Sequence, residues 1–268
     1  MFSGLFTLRG STSKQASSVM TFTGIAALLL IWELAVWCGF ISEGLLPSPV
    51  SVFKAYGPLL HRDDLIPNVI YSFRLNLWSY LEAIAIAVPL GFIIGLFPVF
   101  RESLRTPLDA LRFLPMTALV GPFIGWFGIA DNMKIQFLAA CIAVYLLPVV
   151  VQRVQETNEI YVQAVLTLSA KQWHRITKVF IPDVMSKVFD DIRVMVAISW
   201  TYLIVAEGVN NTGGVGAMCY IAGRQSRFDK VFAILVVIIL IGYVQDKIFM
   251  WLDRILFPHK FQGASHAK

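Results

Sequence analysis

Apolar residues run along this chain in six long blocks separated by polar stretches: roughly Met20–Ile41, Asn68–Phe100, Pro107–Ile129, Ile135–Gln152, Val194–Val209 and Val231–Phe257. A helix that crosses a bilayer needs about 20 mostly apolar residues, and each block approaches or exceeds that length. The second is longer than a straight crossing requires, which predicts a tilted helix or one that begins outside the bilayer. Six crossings take up roughly 120 residues and leave no room for a soluble domain. The expected fold is therefore an all-α integral membrane bundle with six transmembrane helices. The first block is too long, and too poorly followed by small residues, to read as a cleaved leader. The expected organisation is a tail over 1–19, a first crossing over 20–41 and an outer loop with an interfacial helix over 42–67. A helical core over 68–257, holding a long loop at 153–193, and a tail over 258–268 complete it.

Composition agrees with this pattern. The 268 residues are 57% hydrophobic and only 15% charged, with a mean hydropathy of +0.70, whereas soluble domains carry roughly 25% charged residues. The net charge of +5 could indicate nucleic acid, but its distribution indicates a membrane orientation instead. Fourteen Lys and Arg, among them Arg9, Arg101, Arg105, Arg153, Lys171, Lys187 and Lys260, fall in one set of loops and tails. The opposite set holds seven: Lys54, Arg62, Arg74, Lys134, Arg224, Arg227 and Lys230, with Arg112 opening the third block. The positive-inside bias puts both termini and the 153–193 loop in the cytoplasm, in a plasma (inner) membrane.

Catalytic signatures are missing. No GxxxxGK[ST], HExxH or GxSxG run occurs, and Gly213–Gly216 lacks the preceding strand of a dinucleotide fingerprint. Cys38, Cys141 and Cys219 are odd in number and have no ligand-like spacing, so no metal site is expected. Ionisable residues within a span are costly and usually functional. Here Glu33, Glu82, Arg112 and Glu207 fall in four different blocks and spell out no reaction. The expectation is a transport component with no catalytic residues.

The 153–193 loop carries the most information. A helix is predicted from Glu159 to Leu168, with Val162, Val165 and Leu168 at three-residue steps, then a small-residue corner at Ser169-Ala170. A second helix is predicted from Lys171 to Phe180, with Trp173, Ile176, Val179 and Phe180 among its charges and Pro182 ending it. Two short amphipathic helices can dock a partner or lie on lipid headgroups, and the residues alone leave both readings open.

This loop resembles the EAA loop of ABC-importer permeases, EAA-x3-G-x9-I-x-L-P. Gln163-Ala164-Val165, Ser169 and Val179-Phe180-Ile181-Pro182 keep the spacing. The Glu, the second Ala and the Gly are replaced. Gln163 keeps a hydrogen-bonding head without the charge, and Ser169 costs about 1 kcal/mol where that corner is left-handed. Further matches are similar to the nitrate/sulfonate/taurine/bicarbonate branch of that superfamily. They include Leu46-Pro47-Ser48-Pro49, where Ser48 suits an N-cap and Pro49 the first helical position. After this segment, Val50, Phe53 and Leu59-Leu60 could lie in the outer interface, though an ordinary helix start looks the same. Arg112, Pro115, Ala118 and Trp126-Phe127-Gly128 match the branch in position, with a second proline displaced to Pro122. Trp200, Val205-Ala206-Glu207, Gly214-Val215-Gly216 and Arg227 to Phe232 continue the likeness.

The resemblance implies a type I importer permease fold and an alternating-access mechanism. Two permease copies, as a homodimer, would face one another, with ABC ATPase subunits below and an extracytoplasmic substrate-binding protein outside. ATP and Mg would belong to the ATPase, with no cofactor held by this chain and no nucleic acid. Gln163, Ala164, Val165, Leu168, Ser169, Ala170, Trp173 and Pro182 are the expected coupling residues. Glu82, Pro115, Ala118, Pro122, Trp126, Val196, Trp200, Leu203 and Glu207 are the expected path residues. Two prolines make a kinked third helix that lines a cavity, or one that is only structurally kinked. Arg112 either snorkels to the cytoplasmic face or attracts anions. Glu207 is either a gate at the outer mouth or a structural carboxylate held by the amides that follow it. Glu82 should pair with a polar group or touch substrate, and a substrate-facing Glu would favour a zwitterion or cation over a small anion. The expected substrates are small oxyanions, sulfonates or related organic solutes. A secondary transporter, which usually shows an inverted repeat, and a membrane scaffold that recruits a soluble partner are the alternatives.

Overall fold

A computed structural model of the chain describes residues 13–39, 41–42, 44–167, 171–209, 212–258 and 260, and the described residues contain helices and no strand. In chain order the helices are α1 (Lys14–Trp37), α2 (Pro49–His61), α3 (Leu65–Leu96) and α4 (Pro98–Leu111). A 3-10 turn (Met116–Leu119) then leads into α5 (Val120–Phe127), α6 (Asp131–Gln155), α7 (Glu159–Thr167) and α8 (Gln172–Arg175). A π-helical segment (Ile176–Phe180) joins α8 to α9 (Ile181–Gly208), followed by α10 (Val215–Arg224) and α11 (Phe228–Leu256). The chain divides into two units, Met1–Asp64 with Ile221–Leu235, and Leu65–Tyr220 with Val236–Lys268.

In the first unit, Ser48 caps α2 by accepting from the Ser51 amide at 3.2 Å, and Pro49 takes the first helical position. Val52, Ala55 and Leu59 form its buried stripe, while Val50, Phe53 and Leu60 are exposed. Leu59 thus belongs to the packed face and not to the outer interface, because it falls one turn beyond Ala55. Trp32 of α1 donates its indole N–H to the Pro47 carbonyl at 3.1 Å and stacks near Phe232. Lys230 pairs with Asp63.

In the second unit, α6 is the central helix, with α3, α4, α5 and α9 packed around it. Glycines set the α3–α6 approach: a Cβ added at Gly91 would come to 2.5 Å of Val150, and one at Gly95 to 2.7 Å of Val154. Two small residues one turn apart let helix backbones approach closely, as in membrane helix pairs. A buried polar stripe, Ser72, Asn76 and Ser79, runs down α3. Asn76 donates to Ser199 of α9 at 2.9 Å, and the Tyr80 hydroxyl to the Ile192 carbonyl at 3.0 Å. With no water in a bilayer core, such groups must find partners inside the protein.

The structure redraws two of the expected spans. Among the described residues four helices, α1, α3, α6 and α11, are long and apolar enough to cross a membrane, or five if the pair α4 and Met116–Phe127 counts as one. The third expected span is that pair, broken between Leu111 and Met116 and bent by 90°. Pro115 accounts for the break, since it lacks an N–H and disfavours helical backbone at Leu114. The fifth expected span is the second half of α9. Its first half bears Asp183, Lys187, Asp190, Asp191 and Arg193, so length and apolarity do not single it out and the count of six is not reached. Other boundaries differ as well: the second block ends as helix at Leu96, and the fourth begins at Asp131.

Candidate functional site

The loop residues lie on α7, α8 and the start of α9. Gln163 and Ala164 are exposed, Val165 is half-buried, and α7 and α8 also expose Ile160, Tyr161, Leu166 and Trp173, the last at 68%. A cleft of about 460 Å³ is lined by Tyr161, Ala164, Val165, Lys178, Val179, Pro182 and Asp183. It brings Ala164, Val165 and Pro182 together, whereas Gln163 and Trp173 lie outside it. The expected coupling residues Leu168, Ser169 and Ala170 lie outside the described residues. Pro182 does not end the second loop helix. Arg175, Ile176, Phe180 and Ile181 all keep right-handed helical backbone, so helix continues from Gln172 to Gly208. The wider π turn before Pro182 changes the hydrogen-bond spacing at the point where the proline has no N–H to give.

Ion pairs brace the foot of this loop. Arg153 near the end of α6 makes a two-point fork to Asp191 of α9, at 2.7 and 2.8 Å, and donates to Glu156 at 2.7 Å. The Arg153 guanidinium, helped by Gln152, holds the Glu156 carboxyl below the usual range for glutamate. Farther along α9, Arg193 pairs with Asp246 of α11.

At the opposite end of α9, Glu207 sits fully buried against the glycine-rich turn. The Ser72 hydroxyl donates to one carboxylate oxygen at 2.6 Å, and the Gly216 amide to the other at 2.8 Å. The Gly214 and Val215 amides donate to Asn68 at 2.6 Å and to Ser72 at 2.9 Å. These three amides open α10, where a helix leaves its first N–H groups without internal partners, and a carboxylate there also suits the helix dipole. Gly214 has φ +97°, and a Cβ built on it would fall on the Glu207 carboxylate. Beside this turn, Lys134 of α6 has no exposed surface. Its ammonium donates to Thr212 at 2.8 Å and to the Tyr71 hydroxyl at 3.1 Å, and Tyr71 in turn donates to Asp131. The sequence reading puts Lys134 in a loop. It lies instead in the first turn of α6, as the acidic Asp131 at that helix start could have signalled.

The remaining expected path residues form two sets. Pro115, Ala118, Pro122 and Trp126 share an exposed face, with Trp126 at 68%. Val196, Trp200, Leu203 and Glu207 recur at helical spacing along the buried face of α9. Val196 and Trp200 line a groove of about 450 Å³ with Ile204, Ile238, Ile239, Gly242, Arg193 and Asp246, and Leu203 and Glu207 do not. The Trp200 indole donates to Gln245 at 2.6 Å. Glu82, half-buried on α3, accepts a 2.7 Å hydrogen bond from Gln136 of α6.

Residues 87–259 match the family described as the binding-protein-dependent transport system inner membrane component. This chain belongs to that family. A putative ABC transporter permease protein of Methanocaldococcus jannaschii is 28% identical over 243 residues, covering 84% of this chain and 89% of the relative. The putative aliphatic sulfonates transport permease protein SsuC of Bacillus subtilis is 28% identical over 232 residues, covering 85% and 83%. The taurine transport system permease protein TauC of Escherichia coli is 25% identical over 239 residues, covering 87% of each. Relatives with these names fall in the branch that the sequence motifs resemble. Among solved structures, the inward-facing MetNI methionine ABC transporter superposes with a TM-score of 0.64 at 16% identity, over 72% of this chain and 95% of that one. The fold is thus that of a type I importer permease, and the protein is a multi-pass inner-membrane permease. In this permease the loop cleft falls where the EAA-like segment packs back on α9, and both lie inside the matched residues.

Proposed function

We propose that this permease is the transmembrane subunit of an ATP-driven importer and couples closure of partner ATPases to alternating access of a substrate path. The observation that carries this reading is the exposed apolar surface of α7 and α8, with Ile160 and Trp173 each 68% exposed, on a segment that runs as helix into α9. Apolar side chains left uncovered at that density mark a surface for another protein or for a membrane, and membership of a binding-protein-dependent transport family favours the protein. ATPase subunits would hold the loop through Gln163, Ala164, Val165, Leu168, Ser169, Ala170 and Trp173, with ATP and Mg bound by the ATPase. ATP then has to favour one conformer of the complex over the other. A second permease copy faces the first, and an extracytoplasmic binding protein delivers substrate. Both termini lie in the cytoplasm. The substrate is a small oxyanion, a sulfonate or a related organic solute, a class supported by the sulfonate and taurine permeases among the relatives.

The test is a pull-down of the detergent-solubilised permease, co-expressed with its ATPase, beside a Ser169→Arg/Ala170→Glu double variant. The wild type should retain the ATPase, and the folded variant should lose it. Retention by both would remove the corner from the contact, and absence from both would overturn the coupling role.

A further inference from the structure

We propose that the Arg153–Asp191 fork clamps the cytoplasmic end of α6 to the charged first half of α9 in one frame, so that motion of the loop between them reaches both helices together. The proposal rests on the coupling reading above and makes Arg153 a positioning residue for transport. The loop leaves α6 after Gln155 and returns to helix at Gln172, in the segment that becomes α9. The clamp therefore closes the loop at its base. Arg153 Nε and Nη2 meet the two Asp191 oxygens at 2.7 and 2.8 Å. Two parallel bonds fix the angle of the partners as well as their separation. Nη1 takes Glu156 at 2.7 Å, and Gln152 donates to the other oxygen of that carboxylate at 2.8 Å. From α9, Lys187 pairs with Asp183 at 2.8 Å and reaches the Glu156 carbonyl at 3.5 Å.

Burial separates this cluster from an ordinary surface ion pair. The Asp191 side chain is only 16% exposed and that of Arg153 31%. Along the same two helices, Val150 and Val154 of α6 and Val184, Val188 and Ile192 of α9 are buried. A pair in such surroundings is screened far less by salt than one in open water. Apolar contacts alone would let the two helix ends slide or roll past one another, whereas the fork holds them in one register. The frame leaves the loop, and not the α6–α9 separation, as the part that moves.

The test uses the full permease–ATPase complex in nanodiscs, with Cys38, Cys141 and Cys219 replaced and spin labels on Gln155→Cys and Val194→Cys. The distance distribution is measured without nucleotide and with ATP plus vanadate. With Arg153 in place it should be narrow and the same in both states. Arg153→Asp should broaden it and make it shift with nucleotide, and adding Asp191→Arg should restore the narrow distribution. Arg153→Lys keeps the charge and loses the fork, so it should give an intermediate width in a protein that still folds. A shift with nucleotide while Arg153 is present would overturn the clamp. So would a narrow distribution in Arg153→Asp or a wild-type width in Arg153→Lys. Failure of the charge swap to restore the distribution, in a complex that still hydrolyses ATP, would overturn it too. If the ATPase does not bind the unaltered permease, the coupling reading falls and the clamp with it; an intact complex with a shifting distance removes the clamp alone.

Discussion

Removing the ammonium of the fully buried Lys134 would take from the half-buried Tyr71 and the exposed Thr212 the donor they share. Hydrogen bonds to a charged group are worth about 1.5–3 kcal/mol each, and water can replace the donor at the exposed Thr212, so Lys134→Met should cost about 1–2 kcal/mol. Thermal melting of the detergent-solubilised permease measures this, and an unchanged midpoint would mean that the network bears no load. Glu82 allows a cleaner separation of charge from structure. In Glu82→Gln the amide oxygen can still accept from Gln136, so folding and ATPase assembly should be preserved while the range of solutes taken up changes. An unchanged range in uptake assays would take Glu82 out of the path. At this scale the sequence was legible where chemistry is local. The N-cap at Ser48 and the amide-bound carboxylate of Glu207, one of two readings open for that residue, are both short-range patterns. Lys134, Ser72 and Asn76 were not legible, because their partners lie 63 or more residues away, whereas Ser79 turns back on the Leu75 carbonyl of its own helix.

Helices pack here by removing side chains as much as by supplying them. Gly91 and Gly95 clear space for Val150 and Val154, and Gly91→Leu should force α3 away from α6. Overpacking of a close-packed site costs about 1–3 kcal/mol and occasionally more, so the expected result is a lower melting midpoint and a reduced yield of folded permease. A midpoint equal to wild type would show that the approach can relax without cost. The two prolines show why element boundaries were harder to read than element existence. Pro115 breaks a block that reads as one continuous span, because no π turn precedes it to absorb the missing donor: the α-helix ends at Leu111 and a 3-10 turn begins only after the proline. Pro182 sits inside a helix that reads as ended, because the π turn before it absorbs the missing donor. Whether a proline stops a helix depends on the turn that precedes it, and no single-residue preference encodes that turn. The fifth block, Val194 to Val209, was legible as a span, but its continuity with the charged first half of α9 was not, because one helix serves two solvents.

Assembly sets the scale of the whole molecule. The membrane-spanning window of α1 has none of its residues buried inside the chain, and such a helix needs lipid or a neighbouring protein along its full length. Native mass spectrometry of the complex with its ATPase should give two permeases for two ATPases. One permease per ATPase pair would rule out the paired arrangement. The helix that begins at Gln172 and ends at Gly208 has a further geometric consequence. At 1.5 Å per residue it is about 55 Å long, well beyond the roughly 30 Å of a hydrocarbon core. Asp191, where Arg153 grips it, divides that length into arms of about 28 and 26 Å. Because the fork fixes its angle to α6, this rod tilts only together with α6, and a tilt of that frame about the grip carries Trp173 one way and Glu207 almost as far the other way.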